Sequence, residues 1–356
     1  MERQNVGRIV ALCGVQGCCP TAEFTQEGVV LRDDHNGQMK LTEDEWAGFS
    51  PRPRTANWAD LDGGRGGIVP ATIHHHTQRG GPVTGGEMNS TRGRYRADGY
   101  CVSGPLLDES AIAQARLAAG RVIAGCYETG VKPLYRNWNL GDPPQSLVKI
   151  DLPHLSDCMI QRVVSDHRIG EWVAGLLDAR LVQMWACELI CKFPQAEPLL
   201  AQDGAVGWHQ DDHSFRHWAG EICTVWLALV DVDTLMGPVR YVEGSHRWGQ
   251  QDAARFFFET NLDEQRARIG TPAGAAWRET TAVLPAGAVS THHRFTLHAS
   301  SPNHGYVPRI GLAIHVRTER AELVATPEPP FHIPDLSDPY ACPVLTDRPL
   351  TAAQGR

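Results

Sequence analysis

The chain has 356 residues, 42% hydrophobic and 21% charged, the proportions of a globular protein long enough for one large domain with appendages. Its formal net charge of −8 argues against nucleic acid or an anionic membrane as the main partner, because both reward a basic face. No apolar run approaches the roughly 18 residues of a membrane span. The stretch at 9–15, broken by Cys13 and Gly14, is too short for the h-region of an export signal, so a cytoplasmic protein is expected.

In chain order, residues 1–50 read as a small N-terminal unit. A strand is expected over 23–31, a turn at Asp33-Asp34-His35-Asn36-Gly37 and a returning strand over 38–41, followed by a short helix with Thr42 as N-cap and Glu45 at its third position. Cys13, Cys18 and Cys19 lack a second ligand pair for zinc and read as unpaired. The ten cysteines as a set show no framework spacing, and most are expected as free thiols. The separateness of this unit suggests a place to recruit a protein or carrier partner. Residues 51–95, rich in Pro, Gly, Arg and Thr, read as linker or loop, with His74-His75-His76 solvated in it.

From 96 to 326 the pattern is that of a packed domain. Tyr100-Cys101-Val102 reads as a strand, and Asp108 caps a helix carrying Ile112, Leu117, Ile123 and Ala124 at helical intervals. A second helix is expected over 169–177. Strands follow at 181–192, 222–230, 239–242, 282–284, 289–297 and 309–317, a series that points to a sandwich or barrel. The Pro-rich residues 327–356 read as an irregular tail over the surface.

The strongest chemical signal is Trp208-His209-Gln210-Asp211. In a strand, positions i and i+2 share a face, so His209 and Asp211 present an imidazole and a carboxylate together. These are two ligands of a 2-His-1-carboxylate triad, which leaves positions on iron open for an oxo-acid and dioxygen. His298 supplies the missing imidazole. Arg309, opening a strand expected to pair as a hairpin with the one ending at His298, is placed to grip the far carboxylate of a dicarboxylic oxo-acid.

Other polar residues are weighed against plainer roles. His292 and His293 rival His298 as third ligand, but spacing and the neighbouring Ser300 favour His298, and one of the pair is expected to face the site. His213 and His217 are candidates for the substrate mouth, with a locally bonded loop histidine equally expected for each. His246 is expected to hold a turn, and His315 to be a core residue or to lie behind the ligands. Trp185 is a candidate to point into the pocket, with a buried core tryptophan the plainer reading. Glu188, an acid among Trp185, Leu189 and Ile190, needs a partner or a pocket and is a candidate substrate or cosubstrate contact.

With these residues in hand, the sequence resembles the phytanoyl-CoA dioxygenase family of Fe(II)/2-oxoglutarate oxygenases. The likeness runs over roughly residues 96–320: Asp98-Gly99-Tyr100 before Leu106-Leu107-Asp108, Gly207-Trp208-His209-Gln210-Asp211-Asp212-His213, Thr224-Val225-Trp226-Leu227-Ala228-Leu229, Gly237-Pro238-Val239-Arg240-Tyr241-Val242-Glu243-Gly244-Ser245-His246-Arg247, and His298-Ala299-Ser300 with Asn303 and Arg309. The resemblance implies a mainly β fold with flanking α-helices around a double-stranded β-helix, the jelly roll of cupins. It implies Fe(II) held by His209, Asp211 and His298, with 2-oxoglutarate and O2 as cosubstrates. Arg309, Ser300, Trp226 and, by a loose alignment, Lys149 would contact the oxo-acid. Related halogenases have Ala or Gly in place of Asp211, so hydroxylation is expected, with desaturation, cyclisation or epimerisation as alternative outcomes of the same centre. The expected substrate is a small polar metabolite or natural-product intermediate of secondary metabolism, and the expected assembly a monomer or homodimer. The reading from another class is a cupin-like metal-binding protein without oxygenase activity.

Overall fold

The computed structural model describes residues 9–11, 21–25, 28–32, 38–41, 85–142, 146–195, 204–325 and 333–349. Near the N-terminus, β1 (Ile9–Ala11), β2 (Thr21–Thr25), β3 (Gly28–Arg32) and β4 (Gln38–Leu41) form an antiparallel sheet in sequence order. The single strand expected over 23–31 is therefore two, paired with Phe24 opposite Val29. The helix expected after Thr42, the cysteines Cys13, Cys18 and Cys19, and His74-His75-His76 lie outside the described residues.

The main domain opens earlier than its apolar pattern suggests, with α1 (Gly85–Asp98). This helix has almost no apolar periodicity. Tertiary contacts hold it instead: Thr91 and Tyr95, one turn apart, are buried, and the Arg92 guanidinium donates to the Gly175 carbonyl at 2.7 Å. Next come β5 (Tyr100–Pro105) and α2 (Glu109–Ile123). As expected, the Asp108 side chain caps α2, accepting from the Ala111 amide at 2.9 Å. The buried face of α2 is Ile112, Ala115, Ala118, Ala119, Val122 and Ile123; Leu117 points outwards, against expectation, because the alanines rather than the leucine line the packed side.

The remaining elements are β6 (Tyr135–Arg136), β7 (Leu147–Asp151), α3 (Cys158–Val164), α4 (His167–Leu177), β8 (Leu181–Lys192), β9 (Val206–His209), β10 (Trp218–Ala219), β11 (Ile222–Ala228), β12 (Val239–Val242), α5 (Leu262–Ile269), β13 (Glu279–Thr281), β14 (Ala288–His293), β15 (His298–Ser300), β16 (Arg309–Thr318), β17 (Glu322–Leu323) and β18 (Val344–Asp347). The large sheet runs β5-β14-β11-β16-β8-β7-β6, with β18 added to β8, and the small one β13-β12-β15-β9. Residues of both line one cavity, so the sheets face each other as an open sandwich. The fold is mainly β with flanking helices, as expected.

Three expectations change here. The strand expected over 289–297 divides into β14 and β15, which belong to different sheets. The hairpin expected between His298 and Arg309 does not form, because β15 pairs with β12 and β9 while β16 pairs with β11 and β8. The tail is not wholly irregular: β18 pairs with the start of β8, and Leu345 packs into the main core.

Strand alternation divides the large sheet's two faces. Ile310, Leu312 and Ile314 of β16, Cys187, Leu189 and Cys191 of β8, and Cys223, Val225 and Leu227 of β11 join the main apolar core with α2, α3 and α4. The alternate residues of the same strands face the small sheet and build the site. The seven described cysteines are in the thiol form, six of them buried. Among the described residues no helix is long and apolar enough to cross a membrane.

His154, fully buried ahead of α3, donates from Nε2 to the Ala341 carbonyl at 3.0 Å, tying the C-terminal segment to the domain. Burial pulls its pKa down from 6.5 to about 4. The unfolded chain then binds the extra proton first, so stability is intact above pH 6.5 and falls as pH drops towards 4. We expect urea-unfolding free energies at pH 7 and pH 5 to differ by up to about 1.4 kcal/mol per pH unit from this group, and His154→Gln to remove that part of the difference.

Candidate active site

His209 ends β9, and Asp211 opens a short 3-10 turn, Asp211–His213. The pair therefore converges from a strand end and a turn rather than from one continuous strand. The turn is braced from several sides. The Gln210 amide donates to the Gly249 and Phe295 carbonyls at 2.9 and 2.7 Å, and Asp212 pairs with the buried Arg294, which also donates to the Phe215 carbonyl.

One ligand atom each from His209, Asp211 and His298 falls within 4.8 Å of the others. The His209 ring donates Nδ1–H to the Gly207 carbonyl at 2.7 Å, and His298 does the same to Thr296 at 2.9 Å. Both rings thereby turn their Nε2 lone pairs towards Asp211 Oδ1, at 3.9 Å from His209 and 3.5 Å from His298. Burial depresses the pKa of both imidazoles, which leaves them neutral, the form that binds a metal. Burial opposes ionisation of Asp211, but His298 and His292 hold its carboxyl well below the usual carboxylate range.

The second oxygen of Asp211 is occupied. Oδ2 accepts from Thr224 Oγ1 and from His292 Nε2 at 3.0 Å, while Tyr241 Oη lies 3.3 Å from His292 Nδ1. Of the rival pair, His292 therefore faces the site as a partner of the carboxylate, and His293 lies on the other side against His246. With Oδ2 tied, only Oδ1 is free to meet a metal, and the three donors approach one point. Outer partners of this kind fix the orientation of metal ligands.

Arg309 stands at the other end of the same cavity. It is buried to 1% exposure, and its Nε and Nη1 have no hydrogen-bond partner. Burial brings its pKa down to about 10. The guanidinium lies over the Trp226 ring, 4.4 Å from the centroid, a cation–π contact. Gly311 makes that possible: a Cβ there would sit 2.1 Å from the indole. Ser300 and Trp226, both expected near Arg309, also line the cavity.

Lys149 is placed differently from the expectation. Its ammonium pairs with Asp151 and, at 2.9 Å, with Glu188. It is not among the residues lining the cavity, because one carboxylate on its own strand and one on the adjoining strand hold it. The lysine beside Arg309 is Lys192, its registered partner across β8 and β16. Lys192 is fully buried and donates to Ser300 Oγ at 2.6 Å and to the Ser300 and Ser301 carbonyls. Burial, then Arg309, depress its pKa well below the usual value. Sequence reading missed it, since a lysine at the end of a strand looks like a solvated terminus.

Of the four pocket candidates, Glu188 lines the cavity and the others do not. Trp185 is buried against Phe215 and Trp218, His213 is bonded to the Gln251 carbonyl at 2.9 Å, and His217 lies on the chain leading into β10. His246 holds a turn, as expected, through the Arg96 carbonyl. His315 lines the cavity behind Thr224. Phe257, which sequence reading passed over, closes the near wall edge-on to His209 at 5.1 Å.

Residues 95–311 match the family model described as phytanoyl-CoA dioxygenase. Over 186 residues the chain is 24% identical to a Stutzerimonas stutzeri protein described as probable alpha-ketoglutarate-dependent hypophosphite dioxygenase, covering 49% of this chain and 58% of the relative. The matched part thus spans little more than half of that relative's length. Among solved structures, the chain is similar to the non-heme alpha ketoglutarate dependent epimerase SnoN from nogalamycin biosynthesis (23% identity, TM-score 0.56, 75% of this chain and 98% of that one). It is also similar to the carbocyclase SnoK from the same biosynthesis (21%, TM-score 0.52, 68% and 89%). At such identities the likeness is one of fold.

The Oδ2 contacts give a direct test. Thr224→Val removes a donor to Asp211 while keeping the side chain's shape. We expect divalent-metal affinity, measured by competition with a chelator, to fall roughly 10-fold to 100-fold with little change in folding.

Proposed function

The chain belongs to the phytanoyl-CoA dioxygenase family, and from that premise we propose that it is a non-haem Fe(II)- and 2-oxoglutarate-dependent dioxygenase that hydroxylates a small polar molecule. The observation that carries this reading is one cavity shared by the His209, Asp211 and His298 donors and by the buried, unpartnered guanidinium of Arg309. Two neutral imidazoles and one carboxylate oxygen suit Fe(II) and leave positions for an oxo-acid and dioxygen. A buried guanidinium with free donors suits the far carboxylate of that oxo-acid, which it can meet with two parallel hydrogen bonds. A metal-binding sandwich without an oxo-acid has no use for such a residue.

When bound, iron with 2-oxoglutarate and dioxygen supplies the chemistry that couples decarboxylation of the oxo-acid to oxidation of a C–H bond. The chain's own residues bind, orient and shield. His209 and His298 are held as Nε2 donors by their backbone bonds, and Asp211 is held to one oxygen by Thr224 and His292. Arg309, steadied by Trp226, anchors the oxo-acid. Lys192 fixes the Ser300 hydroxyl beside it. Ile190, Val206, Val239 and Phe257 wall the cavity with apolar surface that keeps water from the reacting atoms. The carboxylate of Asp211 fills the position that halogenation requires for chloride, which favours hydroxylation. Residues 1–50 are read as a separate unit for a protein or carrier partner, and the enzyme as a cytoplasmic monomer or homodimer.

Anaerobic visible absorption tests the reading. Adding Fe(II) and then 2-oxoglutarate to the metal-free protein should raise a weak charge-transfer band that requires both additions. The band should be absent in His298→Ala, and in Arg309→Ala it should need roughly 100-fold more 2-oxoglutarate, the equivalent of losing a buried charge-assisted pair. Iron binding without any band on addition of 2-oxoglutarate would favour the metal-binding protein without oxygenase activity.

A further inference from the structure

The inner face of the large sheet carries two rows of registered neighbours. One runs Asp151, Glu188, Ala313, Trp226; the next runs Ala186, His315, Thr224, His292. Glu188, His315, Thr224 and Ala313 all line the cavity, at the end of β16 away from Arg309. Their hydrogen bonds define what this end lacks.

Thr224 Oγ1 lies between Asp211 Oδ2 and, at 2.9 Å, His315 Nδ1. A hydroxyl has one hydrogen, and a carboxylate has none to give, so Thr224 donates to Asp211 and accepts from His315. His315 Nδ1 therefore carries the ring proton, and in the neutral imidazole Nε2 is a bare acceptor. That atom is buried and has no hydrogen-bond partner. Across from it is another acceptor, Glu188 Oε1, at 3.8 Å, too far for a hydrogen bond. Glu188 retains 19% side-chain exposure while lining the cavity. Lys149 pairs with Asp151 and meets the same Glu188 Oε1 at 2.9 Å, and a carboxylate oxygen has a second lone pair with which to accept. The opposite end holds Arg309 and Lys192, with no ion pair to either among the described residues.

We propose that Glu188 and His315 Nε2 form a subsite for a primary amino group of the substrate. Two acceptors facing each other across 3.8 Å are satisfied together by a group that brings at least two N–H bonds, and the Glu188 carboxylate favours a protonated one. A hydroxyl brings a single hydrogen and can satisfy only one of the two. The small side chain of Ala313, between Glu188 and Trp226 in its row, leaves room for the group. The proposal rests on reading this cavity as the chamber of an oxygenase, and it narrows the substrate to an amine.

The test compares n-butylamine with n-butanol, equal in chain length, by ligand-observed NMR titration of the full-length protein without iron. The amine should bind roughly tenfold tighter, as expected for a hydrogen bond to a charged group. In the isosteric variant Glu188→Gln that preference should fall to near parity. His315→Phe, which keeps an aromatic ring beside Trp185 and Phe215, should weaken the amine alone and serves if Glu188→Gln does not fold. Equal affinities in the wild type, binding by neither probe, or a preference that survives in Glu188→Gln would overturn the subsite. The Fe(II)/2-oxoglutarate absorption of the same proteins is read separately. Its absence from the wild type sinks the oxygenase reading, whereas an intact band with no amine preference sinks the subsite alone.

Discussion

A buried carboxylate with each oxygen assigned is the constraint on which the site depends. Asp211 is 7% exposed, and an ionised acid in such a place costs several kcal/mol unless it is paired and hydrogen-bonded. The partners come from both sheets: Thr224 from β11, His292 from β14 and His298 from β15. Satisfying one side chain thus requires two sheets to meet in one register. The same requirement explains why His315, Tyr241 and Ser290, which have no hydrogen bond to a candidate metal ligand, are polar and buried. They complete the hydrogen bonds of the groups that do.

The two-sheet arrangement also separates tasks by face. Outward residues of β8, β11 and β16 pack with the helices as ordinary core, and inward ones carry charge and hydrogen-bonding groups. Because alternation has period two, one chain segment does both without compromise. The buried guanidinium of Arg309 at one end and the carboxylate of Glu188 at the other follow from which inward positions fall where. Together they give the cavity a polarity that a wholly apolar pocket lacks.

Much of this was legible in the sequence, and the failures have physical causes. The donor set and Arg309 could be read because the chemistry restricts residue type, and because His-x-Asp, a later His and a following Arg keep a fixed order. The long apolar strands 181–192 and 309–317 were found nearly to the residue, since both faces are buried and the runs are continuous. What failed was pairing. Nothing local says that the chain crosses from one sheet to the other between His293 and His298, so β14 and β15 looked like one strand and β15 and β16 like a hairpin. Helix 85–98 was missed because its packed side is Met88, Thr91 and Tyr95, and two apolar residues in fourteen leave no periodic signal. Lys192 was missed, and Lys149 lies elsewhere than expected, because a lysine's burial is set by neighbours in space: Ser300 of the other sheet for Lys192 and Glu188 of the adjoining strand for Lys149.

Strand β8 gives the site a fixed length. Glu188 and Lys192 lie on it four residues apart, on the same face, with Ile190 between them. At a rise of about 3.3 Å per residue, their Cα atoms are set about 13 Å apart. β8 is held on one edge by β7, on the other by β16, and at its start by β18. It cannot slide by one residue without turning its polar row into the core and its apolar row into the cavity. The strand acts as a ruler, so changes in substrate length have to come from side-chain size at positions such as Ala313 and Ile190 rather than from movement of the backbone.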